Sequence, residues 1–263
     1  MSEVSLSSFP PPYLKAIRAD LTQIHSARLP YSIPSISSGI DLQLKTAVTF
    51  FVGQNGSGKS TLLEAIAARC GFNLAGGNRN HSYQQSFAES PLSKTLTLSW
   101  RQKTSRGFFF RAETFFNFAT YLENLTKDSP SGEVFAPYGG KSLHEQSHGE
   151  AFLSLFTNRS QEGIFILDEP EAALSPSRQL SFLLLLRQFE QTGESQFLIA
   201  THSPILFSYP GATVMQVDDT GFHAVDYTQT EHFRLFSSFL ASPSRYYRHL
   251  FKEPDRDRSG VEP

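Results

Sequence analysis

A chain of 263 residues with 23 Lys and Arg against 25 Asp and Glu carries a formal net charge of -2, which excludes a surface that is basic throughout, although a local patch fits inside a neutral total. One cysteine, Cys70, rules out an intramolecular disulfide and suits a reducing compartment. The opening MSEVSLSSFPPPYLK lacks the charged-then-apolar profile of a signal peptide, and no run reaches the ~18 apolar residues of a membrane helix, so a cytoplasmic protein with no transmembrane segment of its own is expected.

Residues 1–12, rich in Ser and Pro, read as loose, and 13–45 mix apolar patches with Pro30, Pro34 and Gly39, as short strands and turns do. TAVTFFVG (46–53) is a continuous apolar run ending at glycine, the pattern of a buried strand. KSTLLEAIAARCG (59–71) follows with Leu62, Leu63, Ile66 and Ala67 at helical spacing and Gly71 as its stop. Residues 72–94 are polar and turn-rich, and predict a surface loop. TLTLSW alternates like a half-buried strand, GFFFRA like a second, and ETFFNFATYLENL (113–125) predicts a helix. After a loop over 126–142 come GEAFLSLFTNR as helix, GIFILDE as buried strand, SPSRQLSFLLLLRQFEQTG as helix and SQFLIATHS as strand and turn. SRYYRHLF (244–251) reads as an amphipathic closing helix, with a partner contact as its alternative, and residues 252–263 as a disordered tail. The 24 phenylalanines are assigned to core packing. This alternation predicts an α/β fold with a largely parallel central sheet covered on both faces, preceded by an N-terminal β region.

GQNGSGKST (53–61) satisfies G-x-x-x-x-G-K-[ST] between that strand and that helix. Gly53, Asn55, Gly56 and Gly58 form the turn, whose backbone N–H groups make a concave anion nest at the positive end of the helix. Lys59 is expected to reach the β- and γ-phosphates of ATP, the Ser60 hydroxyl to bind Mg²⁺, and Thr61 to offer a further hydroxyl to the α-phosphate. GIFILDEPEAALSP (163–176) delivers Asp168 at the carboxyl end of a buried strand, opposite Ser60 and suited to the same Mg²⁺. Glu169, one residue on, points elsewhere and is the candidate general base for the attacking water. LIATHSP (198–204) places His202 at the end of a further strand, where an imidazole can donate to a γ-phosphate or orient the water.

SLHEQSHGEAF (142–152) supports two readings. His144-Glu145-Gln146-Ser147-His148 is an H-E-x-x-H string, the spacing of two zinc ligands one helical turn apart. Gln146-Ser147-His148-Gly149-Glu150 is a polar helix cap suited to a phosphate. Gly139-Gly140 and Gly149 break the continuous helix that zinc requires, so the cap is preferred.

In this order the motifs resemble the ABC-type ATPase superfamily over about 46–208, with Gln146 to Glu150 at the place of the L-S-G-G-Q signature. EPEAALSP and THSP are similar to the soluble ATPases related to RecF, SMC and the OLD nucleases, often labelled AAA family ATPases, rather than to transport ATPases with their S-A-L-D loop. His148 departs from the signature by standing where the family has glycine. The resemblance implies a single ABC-type ATPase domain over 1–263 with an inserted signature lobe over about 72–148. It implies an ATP-dependent homodimer in which Ser147 and the Gly149 amide contact the γ-phosphate of ATP held by the second copy. The family's Q-loop glutamine has two candidate positions, Glu113 and Gln102, and Tyr31 is read either as an adenine stack or as core. A soluble nucleic-acid repair or defence role is the first expectation, with nucleic acid or protein as partner. The alternatives are the ATP-binding subunit of an ABC transporter and a regulatory module that barely hydrolyses ATP.

Overall fold

The computed structural model describes residues 10–21, 24, 28–74, 90–127, 130–157 and 162–251. The loose N-terminus apart from residues 10–12, most of the loop expected over 72–94, and the tail over 252–263 lie outside them. Along the chain run β1 (Leu14–Ala19), α1 (Pro34–Ser37), β2 (Ile40–Gln43), β3 (Val48–Val52), α2 (Lys59–Cys70), β4 (Thr97–Trp100) and β5 (Gly107–Arg111). Then follow α3 (Ala112–Leu125), α4 (Ser131–Phe135), α5 (His148–Thr157), β6 (Gly163–Asp168), α6 (Pro176–Thr192), β7 (Ser195–Ala200) and α7 (Pro204–Phe207). The described chain ends with β8 (Thr213–Asp218), β9 (Gly221–Val225), α8 (Glu231–Ala241) and α9 (Pro243–Leu250).

The described residues form two sheets. The larger has the order β5-β6-β7-β3-β8-β9, parallel except for its last pair, where β9 runs antiparallel to β8. The smaller, β2-β1-β4, is antiparallel. The architecture is therefore α/β with a mainly parallel central sheet, as expected. Residues 97–111 depart from the expected lobe: β4 joins the N-terminal sheet and β5 joins the central one, so the helical part of 72–148 begins at Ala112. Phe108, Phe109 and Phe110 are all buried, because β5 is covered on both sides and needs no apolar-polar alternation. The interval 126–142, expected as loop, holds the short α4 and a 3-10 turn.

Strand periodicity divides the core. On one face, Phe108, Phe110, Phe165, Leu167, Phe197 and Ile199 meet α3, α5 and α6. On the other, Phe109, Ile164, Ile166, Leu198 and Ala200 meet α2 and the N-terminal sheet. Phe156 of α5 centres the first cluster, with ring centroids 5.1 Å from Phe152, 5.3 Å from Phe108 and 5.4 Å from Phe182. Tyr31 is partly buried against the second cluster, and its hydroxyl donates to the Pro91 carbonyl at 3.1 Å, which favours the core reading of that residue.

Candidate nucleotide site

Because β5, β6, β7 and β3 are parallel, their carboxyl ends share one edge of the sheet, the edge where such folds hold ligands. From β3 the chain turns through Gly53 to Gly58 into α2. Gly58 has φ +100°, left-handed backbone that favours glycine, and is the N-cap of α2. Gly53 is required for a different reason: a Cβ there would lie 2.1 Å from the Val217 carbonyl oxygen of β8. Asn55 and Gly56 are exposed at the tip of the turn, and Thr61 is half-buried in the first turn of α2. Lys59 is 3% exposed and folds back over the turn, its Nζ donating to the carbonyls of Gly53 and Gln54, each at 2.8 Å. Burial pushes its ammonium below the usual lysine range, against the opposing pull of Glu169, Asp168 and Glu171.

Ser60 and Asp168, 108 residues apart in sequence, meet: the Ser60 hydroxyl donates to Asp168 Oδ1 at 2.9 Å. The other carboxylate oxygen, Oδ2, accepts from Arg111 Nε at 2.9 Å, and the Arg111 guanidinium also pairs with Glu64. Burial alone would lower the Arg111 pKa, but Asp168 and Glu64 outweigh it and raise it.

Glu169 leaves the strand in left-handed backbone, φ 51°, with its N–H donating to the Ala200 carbonyl at 2.9 Å. Both Glu169 and Asp168 border the same cleft. Burial, then the charge of Asp168, raises the Glu169 pKa, which makes it a stronger base than a free glutamate. His202 Nε2 lies 3.5 Å from Glu169 Oε1, while the His202 backbone N–H donates to Glu171 Oε1 at 2.6 Å.

That cleft, of about 350 Å³, borders part of this cluster, lined by Ser60, Arg111, Glu113, His148, Asp168 and Glu169 among others. Of the two Q-loop candidates, Glu113 lines this cleft and Gln102 does not. His148 also lines it, so the residue at the unusual signature position borders this chain's own cleft. Ser147 is exposed and caps α5, accepting from the Glu150 N–H at 3.4 Å. Glu150 returns the interaction, with Oε2 accepting from the Ser147 N–H at 3.0 Å and its hydroxyl at 2.8 Å, which completes a capping box. These bonds and Arg178 hold the Glu150 carboxyl at about 2. The Ser147 hydroxyl and N–H at this helix end are thus engaged by a carboxylate. Gly149 is buried.

His144 sits in a 3-10 turn and His148 opens α5, so the H-E-x-x-H histidines are not one turn apart on one helix. Among the described residues no cluster of three or more His, Cys, Asp or Glu is arranged to hold a metal ion. The motif reading missed Arg111, Glu64, Glu171 and His232. A charge ending the buried FFFR run was the available signal for Arg111, and the third acid of DEPE for Glu171.

A family model described as "AAA domain" matches residues 33–163, and one described as "AAA domain, putative AbiEii toxin, Type IV TA system" matches 150–208. Between them they span the glycine turn, the Asp168-Glu169 pair and His202. The chain is a P-loop ATPase, similar over 33–208 to AAA domains. This ATPase is 27% identical over 179 residues to the hemin import ATP-binding protein HmuV of Bartonella quintana (strain Toulouse), across 60% of its own length and 67% of the relative's. It is similar to the SMC head domain from Thermotoga maritima, at 16% identity and TM-score 0.45, over 81% of this chain and 99% of that one. It is also similar to cbiO1 from Clostridium perfringens, part of the ABC transporter complex cbiONQ, at 16% identity and TM-score 0.47, over 90% of this chain and 98% of that one. Among the described residues of the ATPase, no helix is long and apolar enough to cross a membrane.

Proposed function

We propose that the ATPase binds Mg·ATP at the glycine turn and that two copies close around two nucleotides, with hydrolysis reopening the pair. The observation that carries this reading is the meeting of Ser60 with Asp168 beside Lys59, with His202 3.5 Å from the Glu169 carboxylate. Three separated segments converge at one sheet edge, which supports a site for phosphoryl transfer to water.

The donor set fits magnesium. Mg²⁺ takes oxygen ligands and is held by one or two carboxylates together with substrate phosphates and water. Ser60 Oγ and Asp168 Oδ1 are such oxygens at adjacent positions, and Arg111 engages only the other carboxylate oxygen. A Mg²⁺ held by Ser60 and Asp168 would supply positive charge to offset the phosphate charge of the bound nucleotide. Lys59 leaves the Gly53 and Gln54 carbonyls for the phosphates, and the amides of Asn55 to Thr61 surround the same anion. Glu169 takes a proton from the attacking water, and His202 donates to the γ-phosphate. Ser147 and the Gly149 amide meet the γ-phosphate held by the second copy once Glu150 turns aside toward Arg178, with which it is already paired at 3.0 Å.

For the assembly that this switch serves, the ATP-binding subunit of a membrane transporter is the better supported reading, because the curated relative at 27% identity is an import ATP-binding protein. EPEAALSP had weighted the expectation toward nucleic-acid repair or defence. That second reading retains the family match over 150–208, whose description names a toxin of a toxin–antitoxin system.

Glu169→Gln is the test. With ATP it should trap a dimer by light scattering, and a monomer at saturating ATP would sink the scheme. Lys59→Ala should lose nucleotide binding, and normal turnover in that protein would refute the site. A polytopic membrane protein co-purifying with the trapped form supports the transporter reading, and turnover stimulated by DNA supports the other.

A further inference from the structure

His202 has a partner that none of the motifs contains. Its Nδ1 lies 3.0 Å from Nε2 of His232, the second residue of α8, and the two ring centroids are 5.1 Å apart. Its own Nε2 lies 3.5 Å from Glu169 Oε1. Two nitrogens of the pair, His202 Nε2 and His232 Nδ1, are buried without a hydrogen-bond partner. Burial, then the charge of Lys59, lowers both rings, His202 to about 4, so each ring is neutral and carries one proton.

Two proton placements satisfy a bond between His202 Nδ1 and His232 Nε2. If His202 donates, its Nε2 lone pair faces the Glu169 carboxylate, and His232 must carry an N–H at Nδ1, buried with no acceptor. If His232 donates, His202 carries its proton at Nε2 and presents it to the carboxylate, while His232 Nδ1 holds only a lone pair. The first placement sets negative charge against a lone pair and leaves its buried N–H with no acceptor nearby; the second also makes no full hydrogen bond from His202 Nε2, but it turns that N–H toward a carboxylate oxygen 3.5 Å away, and the electrostatics favour it. The geometry points to His232 as a positioning residue that donates from Nε2 and fixes His202 in its Nε2–H form, the form able to donate to a γ-phosphate oxygen.

The start of α8 is held so that this donor stays in register. Thr230 caps the helix, accepting from the Phe233 N–H at 3.3 Å and donating to the Tyr227 carbonyl at 2.7 Å. Glu231, next in sequence, accepts from Gln54 Nε2 of the nucleotide turn at 3.0 Å. The first turn of α8 therefore touches both the turn that cradles phosphate and the histidine that completes the site, and a shift of this helix would change the hydrogen bond available to His202.

The tautomer follows from the geometry of two neutral rings, whereas its effect on turnover rests on the ATPase reading, and the experiment separates the two. Ring ¹H–¹⁵N correlation spectra of the ¹⁵N-histidine protein should show His202 and His232 protonated at Nε2 and bare at Nδ1. His232→Leu should leave His202 without a fixed tautomer and lower kcat about tenfold at nearly unchanged KM for ATP, the scale expected when the residue that sets a histidine's tautomer is lost. His232→Gln, whose amide N–H donates from a similar reach, should restore kcat to within about threefold of the parent. A protonated Nδ1 on His202 in the parent protein overturns the assignment whatever the variants do. So does a folded His232→Leu protein with unchanged kcat, or a folded His232→Gln protein no better than it. Full kcat in His202→Ala would instead overturn the role of His202 in hydrolysis, leaving the parent spectrum to decide the tautomer.

Discussion

Arg111→Ala tests whether the acidic end of β6 depends on a built-in cation. Asp168 is 3% exposed, and its two oxygens are satisfied by the Ser60 hydroxyl and the Arg111 guanidinium, each at 2.9 Å. Truncating Arg111 strands a buried carboxylate, a change that costs about 3–5 kcal/mol when one partner of a buried pair is removed. Here the Arg111 side chain is 19% exposed and Lys59 also acts on Asp168, which places the loss near the lower end, about 3 kcal/mol. In urea that loss lowers the unfolding midpoint by about 1 M. Adding Asp168→Asn to the variant removes the stranded charge, so the double variant should be more stable than Arg111→Ala alone. Magnesium chloride at millimolar concentration, without nucleotide, should raise the midpoint of Arg111→Ala more than that of the parent, since it replaces a missing cation at an oxygen site. A midpoint within error of the parent, or a double variant less stable than the single one, would refute the reasoning.

Phe156→Ala empties the centre of the aromatic cluster between α5, α6 and the sheet and should cost about 3–5 kcal/mol, measured by urea unfolding. Cys70 is buried and its thiol is pushed up to about 12 by that burial, so at pH 8 alkylation should proceed only at the rate of unfolding, and rapid labelling of folded protein would contradict the placement. Glu150→Gln keeps the capping box but removes a charge from the helix end proposed to meet a triphosphate. The ATP concentration that half-assembles the dimer should fall roughly threefold, read by light scattering.

The sequence exposes what local periodicity and spacing encode. An apolar run, a glycine turn and a helical i, i+3, i+4 pattern identify β3, the phosphate turn and α2 without reference to the rest of the chain. The Ser60–Asp168 contact is foreseeable because each residue sits at the carboxyl end of a parallel strand or the start of the helix that follows one. Arg111 is harder, since periodicity ranks it only as a strand-end charge and does not say which acid it faces; the β5–β6 register brings it opposite Asp168. His232 lies in a helix whose first turn is polar for capping reasons, and nothing local links it to a strand thirty residues earlier. The β8–β9 hairpin did carry a signal, since MQVDDTGFHAV alternates around Asp219-Thr220-Gly221, but a motif-led reading passes from His202 to the closing helix.

Glu169 is, among the described residues, the one non-glycine residue with positive φ, at 51°. Such backbone costs a side-chain-bearing residue about 1–2 kcal/mol, and glycine escapes the penalty. The ATPase therefore spends folding stability to place this carboxylate, and Glu169→Gly would yield a hardier protein without the base proposed above. Selection for thermal robustness alone, with turnover left unscreened, would push this position toward a dead enzyme.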